Sequence, residues 1–207
     1  MFYPRKNALI SGVYYWYFRL IFRRNFAALE HQPFSISADE SVLMLANHAS
    51  WWDAFMLAYL NKKVFKKNFY MLISADEYCR RPYLKYFGAF APAPGRKDTQ
   101  ELLKYAGQVL DNPANILLIF PQGEVKSGYV QRISFEKGLM QLINASEKNF
   151  QTVFSVILTD YFNASKPSAM VSFAVWEMEE YTSLQLLKSE YNKHYSQAIL
   201  KQAQKAS

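Results

Sequence analysis

Of the three histidines in the chain, His48 is the one whose neighbours suggest chemistry. It sits in Asn47-His48-Ala49-Ser50-Trp51-Trp52-Asp53, directly after the apolar run Ser41–Ala46. If that run is a strand ending near Asn47 and a helix begins near Ser50, Asp53 falls in the first helical turn and can fold back toward the imidazole. A carboxylate so placed orients the ring and stabilises the imidazolium formed when histidine takes a proton, the arrangement of a general base. An imidazole's ordinary pKa of about 6.5 leaves the free base predominant near neutral pH. The same spacing also suits a structural histidine beside a helix-start carboxylate held by the macrodipole. His31, in a polar connector, and His194, in a terminal helix, read as solvated groups.

A second chemistry-bearing segment follows the apolar run Ile116–Ile119: Phe120-Pro121-Gln122-Gly123-Glu124. Gly123 lets the backbone approach a ligand closely. Gln122 and Glu124 flank it with hydrogen-bonding groups, and Lys126 adds a charge suited to phosphate. Ser50 lies between His48 and Asp53 and raises serine hydrolysis, but the chain has no Gly-x-Ser-x-Gly elbow. Dinucleotide, Walker and zincin motifs are absent as well.

These residues need elements to hold them. Short apolar runs predict strands at Ser41–Ala46, Phe69–Ile73, Asn115–Phe120, Thr152–Leu158 and Met170–Trp176. Helical patterns fall between them at Trp52–Leu60, Ala75–Phe87 (divided at Pro82), Thr99–Leu110 (with Asp98 as a cap) and Phe135–Glu147, and a closing helix runs from Tyr181 to about Gln202. His31–Glu40, Gly88–Asp98 and Pro121–Ser134 read as connectors. Alternating strands and helices predict an α/β single-domain sandwich, with a mostly parallel sheet flanked by helices. Ligands of such sheets sit beyond the carboxyl ends of the strands, where the His48 and Gln122 loops begin.

Composition narrows the classes. The 207 residues suit one domain, and 51% apolar with 20% charged residues excludes disorder. A single cysteine, Cys79, excludes a disulfide framework or a Cys-x-x-Cys metal cluster. The longest uninterrupted apolar stretch, Ala54–Leu60, is far short of the ~20 residues that cross a bilayer. A net charge of +7 and 17% aromatic residues point to an acidic partner: nucleic acid, anionic lipid or a phosphorylated ligand. Residues 1–30 stand apart. Leu9–Phe22 is densely apolar and aromatic, bordered by Arg5, Lys6, Arg19, Arg23 and Arg24, and reads as an N-terminal amphipathic helix at a membrane interface, with a core helix as the alternative. Lys62, Lys63, Lys66 and Lys67 form a cluster that suits anionic headgroups or, equally, a solvated helix end.

Asn47, His48 and Asp53 complete an Asn-His-x-x-x-x-Asp block. Phe120, Pro121 and Gly123 match a Phe-Pro-Glu-Gly block in which Gln122 replaces Glu, and Phe135-Glu136-Lys137-Gly138 matches a downstream Phe-x-x-Gly. In this order the blocks resemble the lysophospholipid or glycerolipid acyltransferase family, which includes the 1-acylglycerol-3-phosphate acyltransferases, over about residues 40–160. The resemblance implies an acyltransferase domain over residues 31–207, with His48 as general base oriented by Asp53. It implies substrate contacts from Asn47, Ser50, Arg96, Phe120, Pro121, Gln122, Gly123, Glu124 and Lys126. The acyl thioester donor would be acyl-CoA or acyl carrier protein and the acceptor a lysophospholipid or related lipid, with no cofactor, metal or nucleic acid. The expected location is peripheral, on the cytoplasmic side of the cell membrane. Arg96 only loosely matches the family's phosphate-binding arginine, and Glu124-Val125 replaces its Thr-Arg, so lysophosphatidate is one acceptor among several. A non-catalytic basic, aromatic protein that binds membranes or nucleic acid is the alternative of a different class.

Overall fold

The central strand, β2 (Ser41–Ala46), is buried at every position. Val42, Met44 and Ala46 face one apolar core, and Leu43 and Leu45 face another. A strand covered on both faces loses the polar alternation of a half-exposed one, which is why it reads as an unbroken apolar run. The computed structural model describes residues 1–93, 99–179 and 181–205. Its sheet has seven strands in the order β1-β7-β6-β2-β5-β3-β4. The others are β1 (Leu29–His31), β3 (Asn68–Leu72), β4 (Ala89–Phe90), β5 (Asn115–Ile119), β6 (Phe150–Asp160) and β7 (Ser168–Trp176). Five neighbour pairs are parallel and only β6–β7 is antiparallel.

Helices cover both faces. α1 (Ala8–Asn25) and α2 (Asp53–Leu60) pack on the first core with a 3₁₀ turn at Pro82–Phe87, whereas α4 (Thr99–Leu110), α5 (Gly138–Asn144) and α6 (Leu184–Lys205) pack on the second. The short α3 (Ala75–Arg80) begins at Ser74, whose Oγ accepts the Glu77 N–H at 3.1 Å. The chain is the expected single-domain α/β sandwich with a mostly parallel sheet.

Several elements differ from the sequence reading. The expected connector His31–Glu40 overlaps the end of strand β1, which pairs in parallel with β7. The expected loop Gly88–Asp98 begins with the two-residue strand β4. α2 continues into a π-helical turn at Asn61–Phe65, closed by Lys66 in the left-handed conformation. The helix expected at Phe135–Glu147 is confined to Gly138–Asn144. His194 is part-buried, with Nε2 3.3 Å from the Ser172 carbonyl, and burial lowers its pKa. Arg96 and Asp98 lie outside the described residues.

Gly88 ends the 3₁₀ turn with φ of 90°, and a Cβ there would stand 2.0 Å from the Phe69 carbonyl oxygen. Neither the backbone angle nor the β3 contact tolerates a side chain. Gly88→Ala is expected to lower unfolding free energy by at least about 2 kcal/mol. The check is a lower urea midpoint at unchanged m.

Candidate functional site

Parallel pairing of β2 with β5 sets Leu45 opposite Ile119. Three residues on from each stand His48 and Gln122, so segments 74 residues apart leave the sheet side by side. Gln122, only 4% exposed, uses its Oε1 to accept the His48 N–H at 2.7 Å. The His48 carbonyl in turn accepts the Lys126 N–H at 2.9 Å. Both backbone polar groups of His48 are thus held by the second loop. Phe120 lies against the imidazole, with centroids 4.0 Å apart and planes 15° from parallel.

Asp53 opens α2 and is 2% exposed. Its Oδ2 accepts from His48 Nδ1 at 3.1 Å, from the Ala49 N–H at 2.8 Å and from the Ser50 N–H at 2.7 Å. In the neutral ring, an acceptor at Nδ1 places the proton there and leaves the lone pair on Nε2. The imidazole lines a cavity of about 510 Å³. Much of its wall is apolar, with Met71 and Leu72 from β3, Leu102 and Leu103 from α4, and Leu139 and Leu142 from α5. Polar groups line it too, including Glu77, Arg81, Glu124 and Glu136. The Arg81 guanidinium pairs with Glu77 at 2.9 Å and lies 5.5 Å from the Trp51 ring centre.

The expected site residues divide by what their side chains do. His48, Phe120, Pro121, Gly123 and Glu124 line the cavity. Gly123 makes its turn at φ of 74°, where an added Cβ would meet the Glu136 side chain at 3.1 Å. Asn47 is 3% exposed and does not line the cavity. Its Oδ1 accepts the Ile157 N–H at 2.7 Å and its Nδ2 donates to the Ile157 carbonyl at 2.9 Å, which extends the β2–β6 ladder by one side chain. Ser50 uses Oγ to accept the Trp52 N–H at 3.2 Å, a local turn bond. Lys126 does not line the cavity but is ion-paired with Glu124, which does. Arg81 and Glu136 were not singled out by motif or spacing. Arg81 follows the end of α3, and Glu136 is placed by its N–H bond to the Pro121 carbonyl at 2.8 Å.

No residues among those described form a cluster of three or more His, Cys, Asp or Glu side chains able to hold a metal ion. No described helix is long and apolar enough to cross a membrane.

The acyltransferase family model matches residues 27–158, a span that contains both loops. Among solved structures, the 1-acyl-sn-glycerophosphate (LPA) acyltransferase PlsC from Thermotoga maritima superposes with a TM-score of 0.65 over 94% of this chain and 79% of that one. The two share 13% sequence identity, and the likeness is one of fold. No curated protein sequence matches.

Because Asn47 satisfies two buried backbone groups of β6, Asn47→Ala leaves the Ile157 N–H and C=O unpaired. The expected loss is about 2 to 4 kcal/mol of stability. Amide exchange at Ile157 should accelerate in the same variant, which a change confined to the cavity would not produce.

Proposed function

The chain belongs to the acyltransferase family, and on that premise we propose that it transfers a fatty acyl group from a thioester to a hydroxyl of a lipid acceptor, with His48 as general base. The observation that carries this reading is the His48–Asp53 pair at 3.1 Å, set in the wall of a largely apolar cavity. A volume of about 510 Å³ falls within the usual range for small-molecule sites and suits an acyl chain.

In the proposed reaction the acceptor hydroxyl oxygen attacks the thioester carbonyl as its proton passes to His48 Nε2. Asp53 stabilises the imidazolium through Nδ1–H and keeps the ring from turning. Collapse of the tetrahedral intermediate breaks the C–S bond, and the imidazolium returns its proton to the departing thiolate. The products are an ester and a free thiol, and no acyl-enzyme is needed. Ser50, held in its turn, takes no part in this scheme. Arg81, above Trp51 and paired with Glu77, is proposed to meet the polar headgroup of the acceptor, together with the carboxylates of Glu124 and Glu136. That mixed charge accommodates acceptors other than lysophosphatidate.

Peripheral attachment is proposed to run through α1. One side of this helix is structural: Phe18 is 8% exposed and stacks on Phe55 at 3.8 Å. The other side presents Leu9, Val13, Trp16 and Leu20, which are 56–83% exposed and recur at helical spacing. The helix therefore has a core face and an outward apolar face. Removing residues 1–28 would uncover Phe55 and its neighbours, so point changes on the outer face make the cleaner test.

Purified protein given acyl-CoA or acyl carrier protein with a panel of lysolipids and lipid alcohols should release free thiol only when an acceptor is present. His48→Ala should lower this rate at least about 10³-fold in protein that stays folded by circular dichroism. Undiminished turnover in that variant would overturn the mechanism, and thiol release without acceptor would indicate hydrolysis. Separately, Leu9→Ser/Val13→Ser/Trp16→Ser/Leu20→Ser should lose flotation with lipid vesicles and keep turnover of a detergent-dispersed acceptor. Equal flotation of parent and variant would remove α1 as the attachment.

A further inference from the structure

Residues 51–59, α2 with the turn before it, have two lined sides. One, through Trp51, Ala54 and Phe55, walls the His48 cavity. The other, through Trp52, Phe55, Met56 and Tyr59, faces α1 across a second cavity of about 220 Å³. Its aromatic lining continues on the other side with Phe18, Phe22 and Phe26. Its charged lining is all of one sign, with Arg19, Arg23 and Lys63 and no Asp or Glu among the described residues. Arg19 and Arg23 lie four residues apart, on one face of α1. Both are exposed, and no ion pair involving either is found among the described residues. The Lys63 ammonium lies 4.7 Å over the Tyr59 ring, at the edge of the aromatic lining.

An apolar groove with three cations and no counter-charge is complementary to an acyl chain that ends in a phosphate. Chain burial against aromatic side chains supplies affinity, roughly fourfold per buried methylene. The cations supply charge complementarity to the phosphate, which paired guanidinium groups bind well. We propose that this groove binds one anionic phospholipid of the membrane, its chain against Phe22, Trp52 and Met56 and its phosphate at Arg19, Arg23 and Lys63. The proposal rests on the interfacial reading of α1, since the lipid would come from the bilayer that receives the outer face of that helix. It is a site separate from the His48 cavity, sharing only the Phe55 side chain between the two linings.

Trp52 lines the groove and does not line the His48 cavity, so its fluorescence reports occupancy. The full chain is mixed with phosphatidylcholine vesicles containing phosphatidylglycerol brominated along its acyl chains. The contribution of Trp52 is the difference between the parent and Trp52→Phe. Expected is quenching of that contribution, lost in Arg19→Gln/Arg23→Gln and retained in Arg5→Gln/Arg24→Gln, which removes two cations outside the groove. Vesicle affinity should fall about thirtyfold in the groove pair, at roughly fivefold per cation. Flotation without Trp52 quenching would overturn the groove and leave the interfacial reading of α1 standing. Absence of flotation would overturn both. Equal loss of quenching in the two charge pairs at matched bound fraction would mean a diffuse surface field, and displacement by inorganic phosphate at constant ionic strength would mean a bare anion site. Either result overturns the lipid assignment.

Discussion

Oδ2 of Asp53 receives three N–H groups: the imidazole Nδ1–H and the amides of Ala49 and Ser50. A carboxylate 2% exposed survives burial only when such donors replace its lost water. Each donor fixes something different. The two amides bend the chain from β2 into α2 and give the start of the helix its anion, where the macrodipole favours one. The imidazole bond selects the tautomer and aims Nε2 away from Asp53. The four intervening residues are what let one oxygen do all three, because the turn and the first residue of the helix close a loop around it. A consequence is that the Ala49 and Ser50 amides are occupied, so a tetrahedral oxyanion would have to be met from elsewhere in the cavity.

That arrangement depends in turn on sheet register. β2 is bracketed by β5 and β6, and each neighbour secures the end of β2 differently. From the loop after β5 comes Gln122, which holds the His48 amide; from β6 comes Ile157, which holds the Asn47 side chain. A one-residue slip would reverse the faces of every strand side chain and would also separate these partners. The second core adds a further tie on β6, where the buried Tyr191 hydroxyl donates to the Ser155 carbonyl at 2.8 Å. The bond needs the neutral phenol, and burial pushes the Tyr191 pKa well up. Gln122 also explains how this chain departs from the Glu of its family's motif. The bond to His48 N–H needs an acceptor oxygen, and an amide supplies it without a second buried negative charge beside Asp53.

The legible parts of the fold were those with an apolar run or a clear helical stripe. β2, β5 and α4 match their expected spans to within a residue, because continuous apolar runs and a strong helical stripe leave little choice. The edge strands were not legible: β1 is three residues with two exposed, and β4 is two residues long, so neither repeats enough to show a period. In the site, residue types at strand ends were readable, but what each side chain binds was not. Asn47 looks like a cavity residue until the ladder it extends is known. The lysine cluster shows the same limit. Lys67 donates to the carbonyls of Ala38 and Pro113, Lys62 sits 3.5 Å over the Tyr15 ring and Lys63 4.7 Å over the Tyr59 ring, so three of its four members have partners within the protein. The cations that line an apolar groove join one member of that cluster, Lys63, to Arg19 and Arg23 from a helix distant in sequence.

The aromatic contacts of α1 tie its position to the His48 cavity. Phe18 lies against Phe55, Trp51, Tyr83 and Phe87, with ring centres 3.8–6.2 Å apart. Trp51 and Phe55 are walls of that cavity. Close-packed rings resist sliding, since small displacements give up many contacts at once. The outer face of α1 is therefore fixed in orientation relative to His48. On the proposed reading, a bilayer that receives Leu9, Val13, Trp16 and Leu20 also sets the angle at which the cavity meets the membrane. An acceptor that keeps its chain in the lipid could then present its hydroxyl to Nε2 without leaving the interface. Part of the orientation entropy of the reaction would be met by packing formed during folding. The dense aromatic content of α1 would thus serve two purposes: a stiff joint on one face and an interfacial surface on the other.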